Sequence, residues 1–231
     1  MNGIQSQSVP DLIRQQAYAR LALVGPEVLR PQDLAAAAGV PAEEVTSLHP
    51  DESTLFTALV IEAYQEMGAH AEGGAEQARA EQRGLLEQWV STCRQVRIWA
   101  QANPEKYALI WGPPRPGYSA PPETMLVGAR TAVILINLLR RAQEAGRLTE
   151  RRDDDPQLSV GMLRNVENLG NGLLAGLPQP VIARMLVAWT QFLGMVSFAV
   201  YGHVQGFAEE PDEFFDYAAT SMGRFVGLPA D

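Results

Sequence analysis

The sequence predicts an all-α protein, and three observations predict it. Apolar residues recur at intervals of three and four along most of the chain, which is the pattern of helices with one buried face. No run of strict alternation lies between turn signals, so nothing reads as a strand. Glycine and proline punctuate the chain at helix-length intervals, as at Gly25-Pro26, Gly39-Val40-Pro41 and Gly112-Pro113. With 231 residues and 46% hydrophobic content the chain is long enough to bury a core.

The elements follow in order. A first helix is expected over residues 10–23, ended by Gly25-Pro26, and Arg30-Pro31 opens a second over 32–38, ended by Gly39. Pro41 suits the first turn of a third, 42–48, and His49-Pro50-Asp51 turns into a fourth that begins near Ser53. Residues 71–80 are small, polar and charged, so the fourth helix is expected to fray or break there. The domain boundary is placed at that stretch, giving 1–70 and 71–231. Further helices are expected over 85–102, 104–110, 122–145, 156–174, 178–204 and 211–225, with Gly146-Arg147-Leu148 as a C-cap. In 178–204, Met185, Trp189, Phe192, Met195, Val196 and Ala199 recur at helical spacing, and Phe198 and Tyr201 widen the apolar surface. That helix is expected to be nearly surrounded.

Charge constrains function. The 18 basic and 27 acidic residues leave a net charge of −9, the wrong sign for general attraction to a phosphate backbone unless cations cluster locally. Residues 1–66 contain only Arg14, Arg20 and Arg30 against nine carboxylates, and Lys106 is the only lysine in the chain. The single cysteine, Cys93, excludes an internal disulfide framework and fits a reducing compartment. Too few Cys and His residues sit together for a structural zinc site, and neither a metal nor a cofactor is expected. The first ten residues are polar, and no segment reaches about 18 uninterrupted apolar residues. The expectation is a soluble cytoplasmic protein with no membrane partner.

The run Asp33-Leu34-Ala35-Ala36-Ala37-Ala38-Gly39-Val40-Pro41 has the layout of a helix-turn-helix, in which small alanines let two helices approach. It resembles the head of the TetR family of regulators. The likeness continues through 103–112 and 116–121, which are similar to a C-terminal ligand domain common in actinobacterial members. Ala188-Trp189-Thr190-Gln191-Phe192-Leu193-Gly194 with Ser197-Phe198 and Tyr201-Gly202-His203 extends it over nearly the whole chain. The resemblance implies a three-helix helix-turn-helix head, a helical ligand-binding bundle and a homodimer paired through the last two long helices. It also exposes departures. Where family heads carry a Tyr and a His late in the recognition helix and a Lys soon after, this chain has Thr46, Leu48 and Glu52. The recognition segment 41–48 holds Glu43 and Glu44 and no cation, leaving Thr46 and Ser47 as its polar candidates for DNA contact. Carboxylates repel phosphate, so DNA binding is doubtful on this reading. Relatives often carry a Glu where this chain has Ala199, which would open space in the body.

The body is expected to hold a hydrophobic small molecule between helices. Trp111, Arg115 and Tyr118 lie in a proline-stiffened loop that suits a pocket wall or equally a packed connection. Asn137 interrupts the apolar run 132–139, where an amide needs a hydrogen-bond partner. Glu167, Asn168 and Asn171 form a polar cluster that reads as a solvated face before a pocket lining. Trp189 and His203 complete the candidate lining, although a histidine at a helix end is favourable without any chemistry. Titratable groups are Glu167, His203, Tyr107, Tyr118 and Asp216, with no nucleophile elbow or phosphate-binding loop. Three readings stay open. The first is a ligand-binding protein that has lost operator recognition, in its sharpest form a cofactor-independent lyase or cyclase. Such an enzyme would perform elimination or cyclisation on a hydrophobic natural product by acid-base or templating chemistry. The second is a ligand-responsive repressor, and the third a dimer that buries its acidic head on another protein. The charge count favours the first.

Overall fold

The computed structural model describes residues 8–24 and 29–230, and every regular element among them is helical. The break read at Gly25-Pro26 and most of the polar N-terminal segment lie outside the described residues. The chain divides into two compact units, residues 1–66 with 103–128 and residues 67–102 with 129–231.

The first unit contains α1 (Val9–Val24), α2 (Pro31–Ala38), α3 (Ala42–Leu48), the first half of α4 (Glu52–Ala80), α6 (Pro104–Trp111) and α7 (Pro122–Gly128). Pro31 opens α2, where its missing N–H costs no hydrogen bond. Gly39 closes it at φ 67°, a left-handed conformation that glycine adopts without a Cβ clash. Val40 N–H then returns to the Ala35 carbonyl at 3.1 Å, and the chain turns into α3. Asp51 starts α4 by accepting from the Thr54 N–H at 2.7 Å and the Thr54 hydroxyl at 2.9 Å. Leu29, Leu34, Ala35 and Val45 from the helix-turn-helix meet Ile13, Ala17, Leu55, Phe56 and Leu59 in one core. Leu109, Ile110 and Tyr118 pack against that core from α6 and the loop after it.

The second unit is built around α5 (Leu85–Ala102), which packs on α8 (Arg130–Glu144), α10 (Gln179–Val200) and α11 (Pro211–Val226), while α9 (Val160–Gly170) packs on α10. Trp89, Cys93, Val96 and Trp99 of α5 are buried, as are Leu135 and Leu139 of α8, Phe192 and Val196 of α10, and Phe215 and Met222 of α11. Arg184 of α10 is also buried, its guanidinium donating to Asp155 Oδ2 and to the Thr149 carbonyl, each at 2.6 Å. It ties the long α8–α9 connection to the bundle.

Several expectations change. α4 runs unbroken through 71–80, because the small residues there admit a neighbour: a Cβ on Gly74 would lie 2.7 Å from the Ser91 carbonyl oxygen of α5. The helix expected over 122–145 is two helices separated at Ala129, and Gly128 lies so close to the Tyr64 ring that a Cβ would be 3.2 Å from it. The helix expected over 156–174 is shorter, starting where the Ser159 hydroxyl accepts from the Met162 N–H at 3.3 Å. Within the single chain, Val187 and Phe198 of α10 stay half exposed. Among the described residues α10 is long and apolar enough to cross a membrane, as the bent pair α7 and α8 would be if it formed one span, but the buried face of α10 packs against α5, α9 and α11.

Candidate DNA-reading helix and ligand cavity

Helix α3 buries Val45 and leaves Ala42, Glu43, Glu44, Ser47 and Leu48 exposed. The Thr46 hydroxyl bonds to its own helix, donating to the Ala42 carbonyl at 3.0 Å, while Ser47 is exposed. Two of the three arginines nearby make long ion pairs: Arg20 lies 3.6 Å from Asp33, and Arg30 lies 3.8 Å from Glu52. Arg14 pairs with Asp11 and also lies 3.5 Å from Glu62. Lys106 holds Glu66 at 2.6 Å with its ammonium over the Tyr18 ring. The three arginines therefore form no free basic patch, although the helix-turn-helix itself is fully built.

The loop candidates belong to this same unit. Arg115, only 12% exposed, donates to Glu52 Oε2 at 2.7 Å and lies over the Phe56 ring at 4.8 Å. The Tyr118 hydroxyl meets the Thr57 hydroxyl at 2.9 Å, and its ring stands edge-on to Phe56. Trp111 is edge-on to Tyr64. Through these contacts the three residues brace α4.

Candidates in the second unit are dispersed. Asn137 is exposed, and its side-chain oxygen accepts from Arg140 at 3.1 Å. The buried face of α8 is made by Ala132, Leu135, Ile136, Leu138, Leu139 and Ala142, and Asn137 falls outside it. Glu167, Asn168 and Asn171 are exposed and line no described cavity, as a solvated stripe would be. Trp189 is half-buried with its ring near Phe192, and His203 is exposed with its ring 5.5 Å from Phe198. Cys93 is completely enclosed, and burial pushes its thiol far above the ordinary range, which removes thiolate chemistry.

An apolar cavity of about 360 Å³ lies where α5, α10 and α11 meet. Met195, Phe198 and Ala199 of α10 face Phe214 and Phe215 of α11, with Phe207 from the link between those helices. The cationic member of the lining is Arg97, which is 6% exposed. One of its terminal nitrogens donates to Asp212 Oδ1 at 2.6 Å, and its guanidinium lies 5.0 Å from the Phe215 ring centre. The lining contains no Asp, Glu, His, Tyr or Cys, so it offers no general base. Sequence reasoning missed Arg97, although a signal exists: it falls four residues after Cys93 and eight after Trp89, on the buried stripe of α5. A second cavity of about 560 Å³ beside Arg184 is lined by Arg151, Asp155, Ser159 and Met162 among others, and there the buried cation already holds Asp155 and a backbone carbonyl.

A complete helix-turn-helix in one unit and a helical bundle with an apolar cavity in the other are the architecture of regulators that couple a DNA-reading head to a ligand-binding body. The sequence profile described as "Tetracyclin repressor-like, C-terminal domain" matches residues 89–222, and the chain belongs to that family. It is 27% identical over 155 residues to HTH-type transcriptional regulators of Mycobacterium tuberculosis (Rv1816) and Mycobacterium bovis (Mb1846). That match covers 64% of this chain and 62% of each relative, so it spans less than two thirds of the relatives' length. The fold is shared with a protein of unknown function from Rhodococcus sp. RHA1, at TM-score 0.69 and 20% identity, covering 97% of this chain and 98% of that one. It is also shared with a tetR-family regulatory protein from Rhodococcus RHA1, at TM-score 0.62 and 13% identity, covering 97% of this chain and 100% of that one.

Proposed function

We propose that this chain is a ligand-responsive transcriptional regulator, working in the cytoplasm as a homodimer that reads operator DNA with α3 and binds a hydrophobic small molecule in its helical body. The observation that carries this reading is the intact helix-turn-helix: α2 and α3 are locked on a shared core by Leu34, Ala35 and Val45, and the outward face of α3 is free. Regulators named in the family relatives, and the dimerisation and small-molecule binding typical of the family, support it. The pairing surface is drawn from α10 and α11, where Val187 (49% exposed), Phe214 (41%) and Tyr217 (75%) leave an apolar face that a monomer has no use for. The lyase or cyclase version has less support, because the cavity lining lacks an acid-base pair. Loss of operator docking is the second reading, favoured by the carboxylates on α3 and the ion-paired arginines beside it.

A salt titration separates the two. Labelled DNA carrying the upstream region of the protein's own gene is followed by anisotropy from low ionic strength upward. Selective binding with a steep negative slope of log affinity against log salt is expected. Absence of binding at the lowest salt would remove the regulator and leave the body as the functional half.

A further inference from the structure

We infer that the cavity between α5, α10 and α11 takes a hydrophobic monocarboxylic acid, with Arg97 receiving the carboxylate. This rests on reading the second unit as the ligand-binding half of a regulator, and it names the chemistry of that ligand.

The cavity is apolar on almost every side, with Met195, Phe198, Phe207, Phe214 and Phe215 in its wall, so an aliphatic or aromatic body gains by leaving water. Its volume of about 360 Å³ is within the range of small-molecule sites. Arg97 breaks this pattern. A guanidinium that is 6% exposed carries a full charge in a poorly solvated place, and its Nε–H has no hydrogen-bond partner. Its one counterion, Asp212, is 90% exposed and engages only a terminal nitrogen. Buried donors are nearly always satisfied, and this unmet one belongs to a side chain that lines the cavity. A carboxylate suits this donor best, because a guanidinium offers parallel N–H groups to two oxygens and the bond is charge-assisted. An amine or a quaternary cation would meet a buried like charge instead.

The test is calorimetric titration of the full-length protein with decanoate and 2-naphthoate, each against its matching alcohol, decan-1-ol and 2-naphthol, at pH 7.5 and below micellar concentration. One acid at least is expected to bind about ten- to a hundredfold tighter than its alcohol, the worth of one charge-assisted hydrogen bond in a dry site. Arg97→Met is expected to abolish that preference while leaving the alcohol's affinity within about threefold. Asp212→Asn supplies a second variant, at an exposed position where the amide oxygen still offers Arg97 an acceptor. By releasing the competing carboxylate it is expected to tighten acid binding. No preference for acid over alcohol with either tail, acid binding that survives Arg97→Met in a folded variant, or weaker acid binding in Asp212→Asn would each overturn the assignment. Calorimetry contains no DNA, so a negative result here leaves the anisotropy titration to judge the regulator independently.

Discussion

Arg115 illustrates how a side chain's neighbours decide its role. Flanked by prolines, it is placed by the fold between Glu52 and the Phe56 ring, where it joins the loop after α6 to α4. Arg115→Ala is therefore expected to lower the unfolding free energy by about 1–3 kcal/mol, through a lost charge-assisted bond and ring contact. Chemical denaturation measures this; an unchanged midpoint with altered ligand affinity would return Arg115 to a pocket role. Glu52 is also engaged by Arg30, so Glu52→Lys would disturb packing as well as charge. His49, at the end of α3, is held below its ordinary 6.5 by burial. Because the folded value is the lower one, the unfolded chain takes up the proton first, and stability is lost as pH falls from about 6.5 through the folded value. His49→Gln should flatten that part of the profile of urea midpoint against pH; a slope identical to wild type would assign the loss to other groups. Glu62 has the opposite sign. Burial raises its carboxyl above 4.5 in spite of Arg14 and Lys106, so the stability it contributes is full below 4.5 and lost as pH rises through the folded value. Glu62→Gln should thus raise the midpoint at pH 7 and leave it unchanged at pH 4.

Among the elements, α4 shows where sequence patterning misleads. The run Glu72-Gly73-Gly74-Ala75 has low helix propensity and reads as a break, yet a propensity scale cannot see that another helix needs the space. The two glycines differ sharply. Gly74 meets α5, and the Ser91 hydroxyl donates to its carbonyl at 2.8 Å, whereas nothing lies within 4 Å of a Cβ built on Gly73. Gly73→Ala is expected to stabilise by about 0.5–1 kcal/mol, from helix propensity alone. Gly74→Ala is expected to destabilise by about 1–3 kcal/mol, because a backbone carbonyl must move to admit the methyl group. Thermal unfolding of both variants checks this, and equal shifts of the same sign would refute the close crossing. Elsewhere the pattern was legible because local chemistry and burial agree: Pro31 and Gly39 bound α2, and the apolar spacing of 85–102 gives α5 its limits. Ligand candidates were less legible. Asn137 stood out by residue type within an apolar run, but which side of α8 faces the bundle is a tertiary fact. Arg97 lay hidden because a cation on a helix is ordinarily assigned to water.

At the level of the molecule, charge and surface set the behaviour. A protein with net charge −9 and exposed Glu43 and Glu44 on α3 must overcome repulsion before that helix touches DNA. Replacing both by Lys is expected to raise nonspecific DNA affinity and to steepen the salt dependence by about one unit for each new phosphate contact. A flat response in anisotropy would mean that α3 does not approach the duplex. Val187→Asp with Tyr217→Lys should convert a dimer to a monomer at micromolar concentration in sedimentation velocity, since charges would replace the apolar face of α10 and α11. The family architecture was legible over the whole chain because its helix-turn-helix and tryptophan-glycine motifs are local in sequence. The allocation of 103–128 was not, because those residues join the first unit after 36 residues of the second. That path has an evolutionary consequence. The head is discontinuous: the polypeptide leaves it at 66, returns at 103 and departs again at 128. A recombination event that grafted only residues 1–66 onto another body would strip away Leu109, Ile110 and Tyr118 and leave the apolar side of Phe56 bare. Operator reading by α3, as proposed above, would therefore travel with α6 and its proline loop as well as with residues 1–66.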